Sequence, residues 1–107
     1  MNELTSRYSG PSAIISEGWS LSRLTPPSRL SGANGIRTGA DGRIYVASVP
    51  SSSVQAINPD TGAIEVISAM GGDIVAPDDL VFDDAGNLYL TEITLGRVTM
   101  LEPNGKT

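Results

Sequence analysis

Asn34-Gly35-Ile36-Arg37-Thr38-Gly39-Ala40-Asp41-Gly42-Arg43-Ile44-Tyr45-Val46 is repeated, 44 residues on, as Asp78-Asp79-Leu80-Val81-Phe82-Asp83-Asp84-Ala85-Gly86-Asn87-Leu88-Tyr89-Leu90. Gly42 stands against Gly86, and Ile44-Tyr45-Val46 against Leu88-Tyr89-Leu90. The offset then holds onward: Val54 matches Val98, Ile57 matches Leu101 and Pro59 matches Pro103. Only at the next turn does it slip by one, Gly62 against Gly105. An ordered series of matches through turns and apolar positions alike marks an internal repeat.

Each unit reads as short strands between turns. Gly39-Ala40-Asp41-Gly42 and Asp83-Asp84-Ala85-Gly86 are turn sequences. Alternating runs follow them at 43–48 and 87–92. Such alternation marks a half-buried strand, because successive side chains point to opposite faces. Segments 53–58 and 96–102 alternate likewise, and 63–68 is a fourth short run. Pro59-Asp60-Thr61-Gly62 turns the chain before it, proline presetting φ and glycine accepting a positive value. No window holds a helical period, and 12 Gly and 7 Pro interrupt the chain too often for long helices. The expected class is all-β. A unit near 44 residues with four short strands is the arithmetic of a β-propeller blade. A generic antiparallel sandwich explains the strands but not the period.

Length over period, 107 against 44, gives about 2.4 units. Propellers close their rings with roughly four to eight blades, because closure removes exposed edges. The expectation is therefore about two blades plus a ring-closing N-terminal strand. The divisions are a lead-in at 1–32, a blade at 33–76 and a second, incomplete blade at 77–107. The lead-in holds eight of the 13 Ser and lies outside the repeat. A strand around 19–24 would complete the last blade of the ring, with Trp19 packing between blades. The remaining blades would come from a second polypeptide or from self-association.

Composition narrows the chemistry. There is no Cys, hence no disulfide, thiolate metal site or Cys nucleophile, and no His, hence no Ser-His-Asp triad or histidine-held zinc within this chain. Catalysis would fall to carboxylates, to a cation held by oxygen donors, or to groups from another chain. Net charge is −5, and no Lys or Arg lies between Arg43 and Arg97, a span with eight Asp or Glu. That is the opposite of a nucleic-acid-binding stripe. No apolar run approaches a membrane span and no signal peptide is apparent, so the expected location is the cytoplasm.

In a propeller the innermost strands line a central channel, so equivalent positions of successive blades meet around one axis. Asn34 and Asp78 are such a pair. Two oxygen donors at one mouth can share a hard cation.

The motifs Asn34-Gly35-Ile36, Gly39 to Ala47, Pro77-Asp78-Asp79-Leu80-Val81-Phe82-Asp83, Ala85 to Glu92 and Gly96-Arg97-Val98 resemble the gluconolactonase/regucalcin-like family. The resemblance covers residues 33–107 and is moderately specific. Virginiamycin-lyase-like, strictosidine-synthase-like and NHL-repeat propellers share the Asp-Gly-x-Ile/Leu-Tyr-Val pattern. The family implies a six-bladed propeller, of which this chain would be an N-terminal fragment. It implies hydrolysis of a lactone or related small-molecule ester with one divalent cation, calcium first, then magnesium, manganese or zinc. Carried over, Asn34 and Asp78 are metal ligands and Asp78 is also the general base. Asp79 stands where the family usually has Gly, as a substrate or metal contact or an outward side chain. Glu17-Gly18 resembles the family's third ligand, although Glu17 lies only 17 residues before Asn34. Glu92 and Ser48 end equivalent strands and could reach the mouth, Glu92 as a substrate contact. Gly71-Gly72-Asp73 lacks the Lys and helix of a phosphate loop and reads as an inter-blade loop. The competing readings are a propeller lyase or other enzyme with a different pocket, and a non-catalytic binding or scaffold module.

Overall fold

The computed structural model describes residues 15–28 and 30–103. The first fourteen residues of the lead-in, and Gly105 of the register slip, lie outside them. The described residues carry seven strands: β1 Ala33–Thr38, β2 Ile44–Ser48, β3 Ser53–Ile57, β4 Ile64–Ser68, β5 Pro77–Phe82, β6 Leu88–Glu92 and β7 Arg97–Leu101. They form two antiparallel sheets, one ordered β1-β2-β3-β4 and the other β5-β6-β7. Each alternating run expected from sequence is a strand, trimmed by a residue at one or both ends.

The 44-residue period is written into the backbone as well as the side chains. Gly39 N donates to Arg43 O and Asp83 N to Asn87 O; Gly42 N donates to Gly39 O and Gly86 N to Asp83 O, all at 2.8–3.0 Å. Positive φ recurs at the same spacing: Gly18 (93°) with Gly62 (77°), Gly32 (70°) with Ala76 (46°), Gly42 (83°) with Gly86 (87°), and Ser52 (47°) with Gly96 (64°). Ser52 and Ala76 hold this left-handed conformation without being glycine, at a cost on the order of 1 kcal/mol each. They clasp one another, the Ala76 amide donating to Ser52 Oγ at 2.9 Å.

One acidic side chain fastens each β-turn to the strand after it. Asp41 accepts from the Arg43 amide and from the Tyr45 hydroxyl, and Asp83 accepts from the Ala85 and Asn87 amides and the Tyr89 hydroxyl. The two aspartates sit four and six residues before equivalent tyrosines, so residue-by-residue matching does not pair them. Burial pushes the Asp41 carboxyl up, but these hydrogen bonds and Arg43 outweigh it and leave it below the usual range. Asn87 and Tyr89 lower Asp83 in the same way.

The sheets stack face to face. Tyr45 and Ala56 pair across β2 and β3, as do Ala47 and Val54, so all four side chains share one face. That face packs on Ile74, Leu80, Leu88 and Leu90, with Ile67, Phe82 and Leu101 at the margin. Tyr45 meets Phe82 edge-on, ring centroids 4.9 Å apart at 77°. Each fully buried aliphatic side chain contributes roughly 1.5–3 kcal/mol.

The strand expected at 19–24 is not formed: among the described residues the segment pairs with no strand. Trp19 is 77% exposed. A lone strand leaves its amides and carbonyls to water, so without the edge it would complete it has no reason to extend.

Stacking also brings β1 against β5. A Cβ on Gly35 would lie 2.7 Å from Asp79 Cα and 2.8 Å from the Asp78 carbonyl oxygen. Backbone cannot yield as a flexible side-chain tip would. Gly35→Ala should therefore lose about 1–3 kcal/mol, read as a lower urea midpoint with an unchanged slope.

Candidate functional site

Both innermost strands are irregular at the same place. In β1 the register shifts between Ala33 and Gly35, and in β5 between Pro77 and Asp79. The residues left without a cross-strand partner are Asn34 and Asp78. A bulge of this kind bends its strand and re-aims a side chain. Here the two bulge residues face one another across the junction of the sheets: Asn34 Nδ2 donates to Asp78 Oδ1 at 2.7 Å and to the Asp78 carbonyl at 3.2 Å. The chain thus brings together the two residues that sequence reasoning paired.

Asp79 stands beside them with a different environment. Its Oδ1 accepts from the Leu80 amide at 2.8 Å, and its own amide donates to Thr91 Oγ1 at 3.1 Å. Arg37 Nη1 lies 3.8 Å from the same Oδ1, both side chains being about half exposed. Sequence reasoning passed over Arg37 and Thr91. Neither repeats, since Arg37 corresponds to Val81 and Thr91 to Ala47, so the period gave no reason to place them here.

Glu92 is committed elsewhere. Its side chain is fully buried, pairs with the Arg97 guanidinium, accepts from the Val75 amide at 2.7 Å and takes the Thr99 hydroxyl. Arg97 also donates to the Asp73 carbonyl at 2.8 Å. The set ties the second sheet to the connection that precedes it, leaving the carboxylate little capacity for a ligand. Ser48, its equivalent, does the same with a hydroxyl: Ser48 Oγ donates to the Ser31 carbonyl at 2.7 Å. Ser31 and Val75 are themselves 44 apart. Gly71, Gly72 and Asp73 lie in the connection between β4 and β5. Glu17 is exposed in a turn, and among the described residues nothing joins it to Asn34 or Asp78.

The Asn34–Asp78 pair suits a hard cation in donor chemistry. Turning the Asn34 amide would present Oδ1 beside the Asp78 carboxylate, giving two oxygen ligands. Calcium takes roughly six to eight. Among the described residues no group of three or more carboxylates is placed to hold an ion. The rest of the shell would have to come from outside them, from water or from substrate.

The stacked, repeated antiparallel sheets around this junction are blades of a β-propeller. No family model matches the chain. In structure it is similar to virginiamycin B lyase from Staphylococcus aureus, with a TM-score of 0.60 and 19% identity, over 70% of this chain and 25% of that one. It is also similar to a streptogramin B lyase, with a TM-score of 0.51 and 17% identity, over 67% and 26% of the two chains. These proteins share the propeller fold, and the chain is a partial propeller, its described residues forming one four-stranded and one three-stranded sheet. In sequence it is similar to a gluconolactonase from Zymomonas mobilis subsp. mobilis, 30% identical over 80 residues, which is 73% of this chain and 22% of that protein. The chain spans about a quarter of the length of these proteins. Among the described residues no helix is long and apolar enough to cross a membrane.

The ion pair between the buried Glu92 carboxylate and the half-exposed Arg97 makes the second blade acid-sensitive. Arg97, then Thr99 and the Val75 amide, outweigh burial and hold the Glu92 carboxyl down at about 2, against an ordinary 4.5. A depressed carboxylate contributes stability that is complete above its unfolded value and is lost as pH falls through the folded one. Thermal stability should therefore drop between about pH 4.5 and 2. Glu92→Gln should cost roughly 1–3 kcal/mol at neutral pH and flatten that part of the profile.

Proposed function

We propose that this chain forms part of the active-site mouth of a propeller hydrolase that opens a lactone or related ester with water. The observation that carries the reading is the meeting of Asn34 and Asp78 at paired bulges, the Asn34 amide Nδ2 donating to Asp78 Oδ1 at 2.7 Å at the junction of successive blades. The likeness in sequence to a gluconolactonase supports it. The activity belongs to the assembled ring, whose other blades supply the rest of the pocket.

In this reading Asn34 and Asp78 hold one divalent cation, calcium first. When bound it polarises the ester carbonyl and lowers the pKa of an attacking water. Asp78 accepts the proton as water adds to the carbonyl carbon. The ring C–O bond then breaks and the proton passes to the departing oxygen. Before the cation binds, Asn34 fixes the Asp78 carboxylate through its amide. Asp79, 3.8 Å from Arg37, borders the mouth and contacts polar groups of the substrate. Glu92 holds the second blade to its connection, and Glu17 is not needed for this part of the site.

A lyase on the same scaffold is the alternative, since fold does not settle function. The assembled protein separates the readings. Asp78→Asn and Asn34→Ala should each lower chelator-sensitive lactone hydrolysis by about 100-fold or more, with thermal stability nearly unchanged. Full hydrolysis in either variant would overturn the reading. Loss of stability without any turnover to lose would favour a non-catalytic binding module.

A further inference from the structure

A basic side chain reaches the mouth beside Asn34 and Asp78. Arg37 lies on the same inner strand as Asn34, three residues on. Its cross-strand partner is Tyr45, which places it on the face turned toward the second sheet. There Nη1 donates to the Ile36 carbonyl at 2.7 Å and lies 3.8 Å from Asp79 Oδ1. Asp79 is the residue after Asp78, so the guanidinium stands one residue along from the Asn34–Asp78 pair.

The guanidinium is placed there but not used up. An arginine–carboxylate pair that closes on itself does so at roughly 2.7–2.9 Å, often through two parallel bonds. Arg97 and Glu92 meet in that way, at 3.0 and 2.9 Å. Arg37 and Asp79 do not. At 3.8 Å no hydrogen bond joins them, Asp79 Oδ1 is taken by the Leu80 amide, and both side chains are about half exposed. Among the described residues Nε and Nη2 of Arg37 have no hydrogen-bond partner. Together they form a planar two-donor edge, the shape that matches a carboxylate. The fold does not require an arginine here: the equivalent residue of the second unit is Val81, and its strand forms equally well.

Charge points the same way. With a divalent cation at Asn34 and Asp78, the cation and Arg37 together exceed the charges of Asp78 and Asp79 by one. A single carboxylate balances that excess, whereas a phosphate monoester, at roughly −2, would overshoot it.

We propose that Arg37 is a specificity residue, and that the lactone opened at this mouth carries a free carboxylate held by the Nε–Nη2 edge. The proposal rests on the hydrolase reading for the lactone, and on Arg37 alone for the anion. The Ile36 carbonyl and Asp79 lie on the Nη1 side, which leaves the opposite edge for substrate.

Two lactones of nearly one shape test it in the assembled protein: 5-oxotetrahydrofuran-2-carboxylate and its neutral carboxamide. The ratio of their kcat/KM values should favour the carboxylate by about 10–100-fold. Arg37→Gln should collapse that ratio toward one, and Arg37→Lys should restore part of it. A purely structural role for Arg37 would slow both lactones alike and leave the ratio unmoved. An NMR titration of the calcium-loaded protein with tetrahydrofuran-2-carboxylate, which has no ester to open, reads the anion site without turnover. Arg37→Gln should weaken that binding by about tenfold or more. Equal turnover of the two lactones, both lost in Asp78→Asn, would overturn the role of Arg37 and leave the hydrolase reading standing. So would a probe that binds the Arg37→Gln protein as tightly as the unmodified one. Arg37-dependent binding of the probe with neither lactone opened would do the reverse, supporting the anion site and overturning the hydrolase reading.

Discussion

Tyr45, Ala47, Val54 and Ala56 must find an apolar surface, and they find it on the Leu80, Leu88 and Leu90 face of the next sheet. That contact sets the spacing and direction of the sheets, and other features follow from it. It draws β1 against β5 closely enough that position 35 has no room for a Cβ. With the strands so close, the two bulge residues fall within one hydrogen bond of each other. The candidate site is in this sense a by-product of core packing. Each residue in it means little alone, and the stacking of two like units makes the pair.

Much of this was legible because the period acts on residue types that report directly on backbone. Glycines at 42 and 86, tyrosines at 45 and 89 and apolar alternation in 43–48 and 87–92 located the turns and strands. The pairing of Asn34 with Asp78 followed from the same register. What escaped the sequence fell into two kinds. Bulges leave no signature when the bulged residue is an ordinary Asn or Asp, so the reason these side chains point as they do emerged only with the strand register. Contacts made through residues that do not repeat escaped too: Arg37 beside Asp79 and Thr91 beneath its amide have no counterparts 44 residues away. The strand expected at 19–24 was a reading of a ring, and within a single chain the edge it would need is absent from the described residues.

Positions 48 and 92 show how one mechanical task is met by different chemistry. Both fasten a strand end to the connection before it, at Ser31 and at Val75. A hydroxyl suffices in the first unit, whereas the second uses a buried carboxylate that must carry Arg97 with it to remain charged. Arg97 then reaches on to the Asp73 carbonyl, so the ionic version ties down one more point of the connection. Glu92 looks like a binding residue from its charge and its place at a strand end, and packing gives it another occupation.

The clasp between Ser52 and Ala76 bears on the history of such arrays. At two of the four repeating left-handed positions, one unit has glycine and the other does not. A single hydrogen bond between the two exceptions holds both in a shape their side chains disfavour. Once neighbours enforce the shape, glycine is no longer required there, and the position is released to drift. Duplicated units can in this way grow unlike in letters while staying superimposable in backbone. The ancestry of a propeller then outlives its visible repeat, and comparing φ angles at a fixed spacing recovers relatedness that aligned residues have lost.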